Sequence, residues 1–172
     1  MTTLIQKKIC MVGDFAVGKT SLVRRYVEGR FDDQYLSTIG VKISRREIVA
    51  EDTIVRLVIW DVAGNGKIGN LINSYLMGTS GAFLICDLTR PNTIQSLRQY
   101  KELVDSINHA PSLIILGNKV DLMGGSSALS FVEEVASDLK VPFIPTSAKT
   151  GEGVDAAFLS LANKLLLNQA IG

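Results

Sequence analysis

One glycine-rich loop carries a basic residue and a hydroxyl residue at its end. Residues 13–21, GDFAVGKTS, fit the pattern G-x-x-x-x-G-K-[ST] in full. Glycines let backbone N–H groups converge closely on phosphate oxygens. Lys19 offers a positive charge to the outer phosphates, and the hydroxyl of Thr20 is a ligand for Mg²⁺. We call this segment the phosphate loop, and it comprises Gly13, Asp14, Phe15, Ala16, Val17, Gly18, Lys19, Thr20 and Ser21.

Two later segments contain groups that suit a guanine base. LIILGNKVD ends an apolar run with Asn118, Lys119 and Asp121. The carboxylate of Asp121 matches the N1–H and amino donors of guanine, whereas adenine would leave it unpaired, at a cost of several kcal/mol. The aliphatic stem of Lys119 can lie along the base. The segment TSAKTGEG then places Ser147, Ala148 and Lys149 on the O6 side of guanine.

Five short apolar runs, rich in Ile, Val and Leu, predict strands that are buried on both faces, as in a parallel sheet. They cover residues 9–12, 54–60, 82–86, 113–116 and 141–144. Segments with helical spacing of apolar residues lie between them, at 19–27, 93–107, 128–139 and 154–167.

Strands that alternate with helices predict an α/β fold with helices on both faces of a mostly parallel sheet. One pair of segments differs, because VKISRREIVA alternates with period two and EDTIVRLVIW follows after a short polar break. This pattern predicts an antiparallel hairpin at the edge of the sheet. We expect a single domain over residues 1–172, with the motifs at the carboxyl ends of strands, where open α/β sheets bind ligands.

The composition excludes several other classes of function. The net charge of +1 gives no reason to expect nucleic acid or an anionic membrane as a partner. Cys10 and Cys86 lie inside apolar runs, which predicts buried thiols in a reducing compartment. No apolar run approaches the roughly 18 residues that span a membrane. The C-terminal residues lack a prenylation cysteine, so we expect a cytoplasmic monomer with no anchor in this chain, or a chain without its lipidated tail.

Taken in order, these motifs resemble the Ras superfamily of small GTPases, and most closely its Rab group. The resemblance covers residues 6 to about 167 and is clearest in GDFAVGKTSLVRRYVEGRFDDQYLSTIGVKI and WDVAGNGKIGNLINSYLMGTSGAFLICDLT. It implies the G domain of the P-loop NTPases, with a six-stranded sheet and one antiparallel edge hairpin. It also implies GTP and GDP as ligands, one Mg²⁺ and two mobile switch segments.

The resemblance implies roles for residues outside the phosphate loop. Phe31 would pack against guanine and Tyr35 would cover the phosphates. Thr38 would bind Mg²⁺ and sense the γ-phosphate, while Asp61 would hold the metal through water. The backbone N–H of Gly64 would meet the γ-phosphate. The implied metal ligands are therefore Thr20, Thr38 and Asp61, and the implied catalytic residues are Lys19, Thr38, Gly64 and Asn65.

The chain departs from the family pattern at the catalytic position. Asn65 stands where most members have the glutamine that orients the attacking water, and Gly66 follows instead of glutamate. Asparagine is one methylene shorter, and a misplacement of about 1 Å can cost about 100-fold in rate. Phe15 also replaces a small residue and crowds the space above the γ-phosphate. We therefore expect slow hydrolysis of GTP.

Two functions remain open from the sequence: a switch that hydrolyses GTP, and a hydrolysis-deficient GTP-binding scaffold that acts only through partner contacts. A kinase for a small metabolite would share the phosphate loop. It conflicts with Asn118 and Asp121, and the chain has no insertion to hold such a substrate.

The resemblance also implies protein partners. Effectors, exchange factors and activating proteins would bind the switch regions around residues 35–43 and 60–75. Ile43, Trp60 and Tyr75 stand at the positions of the apolar patch that effectors read in Rab proteins. Trp60 is either an exposed hot spot of that surface or a residue packed at the edge of the sheet.

Overall fold

The computed structural model describes residues 2–34, 37–64, 69–123 and 127–171. Within these ranges the strands are β1 (Thr3–Gly13), β2 (Val41–Ala50), β3 (Thr53–Val62), β4 (Gly81–Asp87), β5 (Ser112–Asn118) and β6 (Phe143–Pro145). The helices are α1 (Lys19–Glu28), α2 (Gly69–Leu76), α3 (Pro91–Gln95), α4 (Leu97–Ile107), α5 (Ser127–Leu139) and α6 (Val154–Ile171). A 3₁₀ turn covers Val120–Leu122.

The strands form one six-stranded sheet in the order β2-β3-β1-β4-β5-β6. β2 pairs with β3 in an antiparallel hairpin, and every other pairing is parallel. The predicted fold class and edge hairpin are confirmed. β4 and β5 are buried along their whole length, which explains why their sequences are continuous apolar runs.

Two hydrophobic clusters cover the two faces of the sheet. One contains the buried side chains of α1 and α6, with Phe83 in edge contact with Phe158 and Tyr26 stacked on Phe158. The other contains buried side chains of α4 and α5 together with Leu76 at the end of α2. Packed helices therefore stabilise the sheet on both faces, and its carboxyl edge positions the loops that follow the strands.

The structure corrects several predicted element boundaries and adds two elements. Strand β1 begins at Thr3, well before the apolar run at 9–12, and helix α6 continues to Ile171. The helix predicted over 93–107 begins at Pro91 and is divided at Ser96, whose hydroxyl lies within hydrogen-bond distance of a carboxylate oxygen of Asp14 and of the Asn92 carbonyl. The strand predicted over 141–144 begins at Phe143, because the N–H of Val141 instead closes the end of α5 on the Ala136 carbonyl. Helix α2 and the 3₁₀ turn were not predicted from the sequence.

Among the residues that the structure describes, no helix combines the length and the apolar character that crossing a bilayer requires.

The phosphate loop turns sharply between β1 and α1. Gly18 has φ of +101°, and a Cβ atom at this position would lie 2.2 Å from the side-chain nitrogen of Asn118. Ala16 also has a positive φ, of 62°. This left-handed conformation costs a residue with a Cβ atom about 1–2 kcal/mol, whereas glycine adopts it freely. Ala16 therefore carries backbone strain.

We predict that Ala16→Gly raises the free energy of unfolding by up to about 1 kcal/mol, because relief of the strain exceeds the extra chain entropy of glycine. Urea unfolding of parent and variant in the same buffer measures the change. The control is Ala156→Gly at an exposed position of α6, where we expect a loss of about 1 kcal/mol. Equal destabilisation by both substitutions would contradict the strain at Ala16.

Candidate functional site

A cleft of about 300 Å³ opens at the carboxyl edge of the sheet, beside the phosphate loop. Sequence motifs that are more than 100 positions apart meet there, because each of them follows a strand of the same sheet. The predicted site residues that line the cleft are Phe15, Ala16, Gly18, Lys19, Thr20, Ser21, Phe31, Thr38, Gly64, Asn118, Lys119, Asp121, Ala148 and Lys149.

The other predicted site residues lie around this cleft or outside the described ranges. The side chain of Asp14 is turned toward α4, where it accepts hydrogen bonds from Ser96 and Tyr100. Val17 and Ser147 are fully buried beneath the site, and Gly13 ends β1. Tyr35 and Asn65 lie outside the described residues, as does Gly66.

The backbone carbonyls of the phosphate loop are held by side chains. The side-chain amide of Asn118 donates to the Val17 carbonyl over 2.9 Å, and Nζ of Lys119 donates to the Ala16 carbonyl over 3.0 Å. The guanidinium of Arg90 donates to the Phe15 carbonyl over 2.7 Å. In a trans peptide the N–H points opposite to the carbonyl, so the N–H groups of residues 16–18 point away from these donors. Such convergent N–H groups form an anion-binding site.

Lys19 is the cation of this site. Only 7% of the residue is exposed, and its Nζ lies 2.8 Å from the carbonyl oxygens of both Gly13 and Asp14. Burial lowers the pKa of the lysine to about 8, although the nearby carboxylates of Asp61 and Asp14 oppose this effect. The poorly solvated ammonium group would gain most from an anion placed beside it.

Three oxygen-bearing side chains meet next to this lysine. The hydroxyl of Thr20 donates to Oδ2 of Asp61 over 2.6 Å and lies 2.5 Å from the hydroxyl of Thr38. Burial raises the pKa of Asp61, against the Thr20 hydrogen bond and the charge of Lys19. Oδ1 of Asp61 is buried and has no hydrogen-bond partner among the described residues. Hard oxygen donors with an unsatisfied carboxylate oxygen fit Mg²⁺.

The donors available to a metal are few. The part of the chain that the structure describes contains no group of three or more His, Cys, Asp and Glu residues around a potential ion. A magnesium ion bound by two hydroxyls and one carboxylate would need further oxygens, and the phosphates of a nucleotide supply them. A metal held by these oxygens and phosphates beside Lys19 would therefore share one site with the phosphates.

Gly64 lies against the phosphate loop. A Cβ atom at this position would come within 2.5 Å of the Nζ of Lys19 and 2.8 Å of the Asp14 carbonyl oxygen. No larger residue fits there without displacing the lysine. The predicted position of Gly64 beside the outermost phosphate is consistent with this close approach.

The far end of the cleft is organised by Asn118. This residue is buried, and its side-chain oxygen accepts hydrogen bonds from the Ala148 N–H over 3.2 Å and from the Thr146 hydroxyl over 3.3 Å. Its amide nitrogen holds the phosphate loop at Val17. The hydroxyl of Ser147 donates to Oδ1 of Asp121 over 2.6 Å and so orients that carboxylate. A base and its phosphates would thus be bound by one connected network.

Several residues of the site were not identified from the sequence. Arg25 donates to the carbonyls of Ala148 and Lys149, over 2.8 and 2.5 Å, and so fixes their loop. Asp87 ends the fully buried strand β4 at the same sheet edge as Asn118. This position at a strand end could have identified Asp87 from the sequence as a residue near the site. Further residues around the cleft are Arg24, Asp32, Asp33, Gln34, Val62, Ala63 and Leu122.

The predicted effector patch combines packed and exposed groups. Trp60 is half-buried against the second hydrophobic cluster, and its ring lies 6.4 Å from that of Tyr75. The Nζ of Lys8 lies 3.8 Å from the centre of the tryptophan ring. Ile43, which pairs with Trp60 across the hairpin, is 42% exposed. Trp60 is therefore packed at the sheet surface, with part of its side chain accessible.

Comparison with known proteins agrees with this arrangement. The sequence model of the Ras family matches residues 8–167. The chain is 35% identical to the Ras-related protein Rab-1C of Dictyostelium discoideum, over 92% of this chain and 80% of that protein. It is 34% identical to the Ras-related protein Rab7 of Drosophila melanogaster, with the same coverage. The GTP-binding protein ypt1 of Schizosaccharomyces pombe is 31% identical, over 92% of this chain and 79% of its own length. The chain belongs to the Ras family.

Proposed function

We propose that this protein is a GTP- and GDP-binding molecular switch that uses Mg²⁺ and hydrolyses GTP slowly. The observation that carries the proposal is the network of Asn118. This one buried side chain connects the phosphate loop at Val17 to the segment that contains Ala148, and it directly precedes the residues that suit guanine. A site built only for phosphate would not require this connection.

Recognition of the base would depend on Asp121. Ser147 holds one of its carboxylate oxygens, which fixes the orientation of the group at the wall of the cleft. A fixed carboxylate accepts hydrogen bonds from the two donors on the Watson–Crick edge of guanine, and adenine lacks this pair of donors. The discrimination against adenine would then come from an unpaired acceptor.

The phosphates would replace the present partners of Lys19. Its Nζ now binds two backbone carbonyls and would turn to the phosphate oxygens. The hydroxyls of Thr20 and Thr38 and the carboxylate of Asp61 would hold Mg²⁺. When bound, the metal neutralises charge that develops on the transferred phosphoryl group.

The switch would operate through Thr38 and Gly64. Both line the cleft, and each precedes or follows a segment outside the described residues. Contacts of Thr38 with the metal and of the Gly64 N–H with the γ-phosphate would exist in the GTP state and be lost after hydrolysis. The switch regions around residues 35–43 and 60–75 would then change their conformation together.

Effector proteins would detect this change by binding to the surface that contains Ile43, Trp60 and Tyr75. These three residues are each at least partly exposed, and they offer aliphatic and aromatic area for an effector. Exchange factors and activating proteins would bind the same switch regions. The names of the relatives place them among the Rab proteins, and we extend a role in trafficking or signalling to this chain on that basis.

A second candidate function is a GTP-binding scaffold without hydrolysis. Phe15 supports it, because this large residue lines the cleft and is 44% exposed at the position where an activating protein would insert an arginine. Asn65 supports it as well, since the amide is one methylene shorter than the glutamine of most family members.

We predict that Asp121→Asn shifts the preference of the protein from guanine toward xanthine. The amide can donate to the 2-oxo group of xanthine, whereas the carboxylate cannot. Competition among GTP, XTP and ATP for the purified protein measures the preference. The control is Asp138→Asn, which removes a carboxylate that pairs with Arg98 on the surface. An unchanged preference for GTP in the Asp121 variant would remove this residue from base recognition.

We predict that Asn65→Gln raises the single-turnover rate of GTP hydrolysis by one to two orders of magnitude, roughly the cost of misplacing the water. The affinity for GTP should change little, because the interaction is made in the transition state. The double variant Asn65→Gln with Phe15→Gly gives the longer side chain room. If neither variant is faster than the parent, water is positioned by another group. If all three remain loaded with GTP, the scaffold function is favoured.

A further inference from the structure

Asp87 is a buried carboxylate that holds two cations. It ends β4, and only 1% of the residue is exposed. Its Oδ2 lies 2.8 Å from the Nζ of Lys119 and 3.0 Å from the Nε of Arg90. Its Oδ1 accepts hydrogen bonds from the N–H and the hydroxyl of Thr89. Burial opposes ionisation, but these hydrogen bonds outweigh it and lower the pKa of Asp87.

Both cationic side chains also donate hydrogen bonds to the phosphate loop. Lys119 donates to the carbonyl of Ala16, and Arg90 donates through its second arm to the carbonyl of Phe15. One carboxylate therefore fixes two consecutive peptide groups of the loop from its outer side. The planar guanidinium suits this task, because its donors point in fixed directions to two different acceptors.

The backbone around Arg90 is itself rigid. Its N–H donates to the Asp87 carbonyl, and its carbonyl accepts from the N–H and the hydroxyl of Thr93. Pro91 begins helix α3 directly afterwards with a preset φ angle. The same Thr93 hydroxyl accepts a hydrogen bond from the N–H of Asp87. Arg90 and Asp87 are therefore held by one turn, and they form a stiff support.

We propose that Asp87 and Arg90 are positioning residues that support the phosphate loop from outside and thereby set the affinity for the second phosphate and the residence time of GDP. The inference rests on the proposed function and deepens it. Neither side chain lines the cleft, so both act through the peptide groups of the loop and through Lys119.

The two residues differ in what they support. Within the phosphate loop, Arg90 holds the Phe15 carbonyl, which shares its peptide group with the N–H of Ala16. Asp87 also holds Lys119, the residue whose stem is expected to lie along the base. Loss of Arg90 should therefore weaken the binding of the second phosphate alone. Loss of the Asp87 charge should weaken the binding of both phosphate and base.

The test compares the affinities for GDP and GMP and the rate of GDP dissociation, with Mg²⁺ present. We expect Arg90→Ala to lower the GDP affinity about tenfold, the order of a charged hydrogen bond with partial exposure, and to speed GDP release accordingly. The GMP affinity should stay within twofold. The GDP affinity of Arg90→Lys should fall between those of the parent and of Arg90→Ala, because a lysine reaches only one of the two acceptors. Asp87→Asn should lower both affinities.

The control is Arg98→Ala. Arg98 is an arginine of similar exposure on neighbouring α4, and its guanidinium pairs with Asp138 away from the cleft. We expect no change in either affinity.

Three outcomes would overturn the inference. GDP release from Arg90→Ala at the rate of the Arg98 control would show that the support has no effect. Equal losses of GDP and GMP affinity in Arg90→Ala would indicate a general structural defect. An Arg90→Lys variant that binds GDP as weakly as Arg90→Ala would show that the fixed directions of the arginine donors do not matter. A parent protein that binds neither GDP nor GMP would instead overturn the proposed function itself. The Arg90 variants suffice for the test even where Asp87→Asn does not fold.

Discussion

A loop that binds an anion through its backbone N–H groups must turn its carbonyls the other way, because each trans peptide carries both groups on opposite sides. Carbonyls that are removed from water need donors of their own. In this chain the donors are the side chains of Asn118, Lys119 and Arg90, at three successive positions of the phosphate loop. The conformation of the loop therefore depends on residues that are 75 to 103 positions away in the sequence.

This constraint couples the parts of the site to one another. Asn118 and Lys119 belong to the segment that suits the base, yet each donates to the loop that suits the phosphates. Position 18 requires glycine, because a Cβ atom there would collide with the side chain of Asn118. A movement of the base segment would thus disturb the phosphate loop directly. The residues proposed to hold Mg²⁺ are coupled as well, through the contact of Thr20 with Asp61 and the charge of Lys19.

Much of this arrangement followed from the sequence. Continuous apolar runs predicted the parallel sheet, and the loop pattern predicted where Lys19 and Thr20 lie, because these features depend on local spacing. The division of the helix at Ser96, whose hydroxyl contacts Asp14 across the structure, did not follow, since no glycine or proline marks that position. The position of Asp87 at the end of a buried strand could have indicated this residue from the sequence. Arg90 could not be found in this way, because an arginine before a proline acquires its role only when it meets both Asp87 and the phosphate loop.

The most direct test of the whole account is the nucleotide content of the protein purified from cells without added nucleotide. Denaturation releases whatever is bound, and ion-exchange chromatography separates guanine from adenine nucleotides. A connected site for base, phosphates and Mg²⁺ predicts GDP or GTP at close to one molecule per chain. Protein that carries an adenine nucleotide, or that is folded yet neither contains nor takes up a guanine nucleotide, would contradict the account.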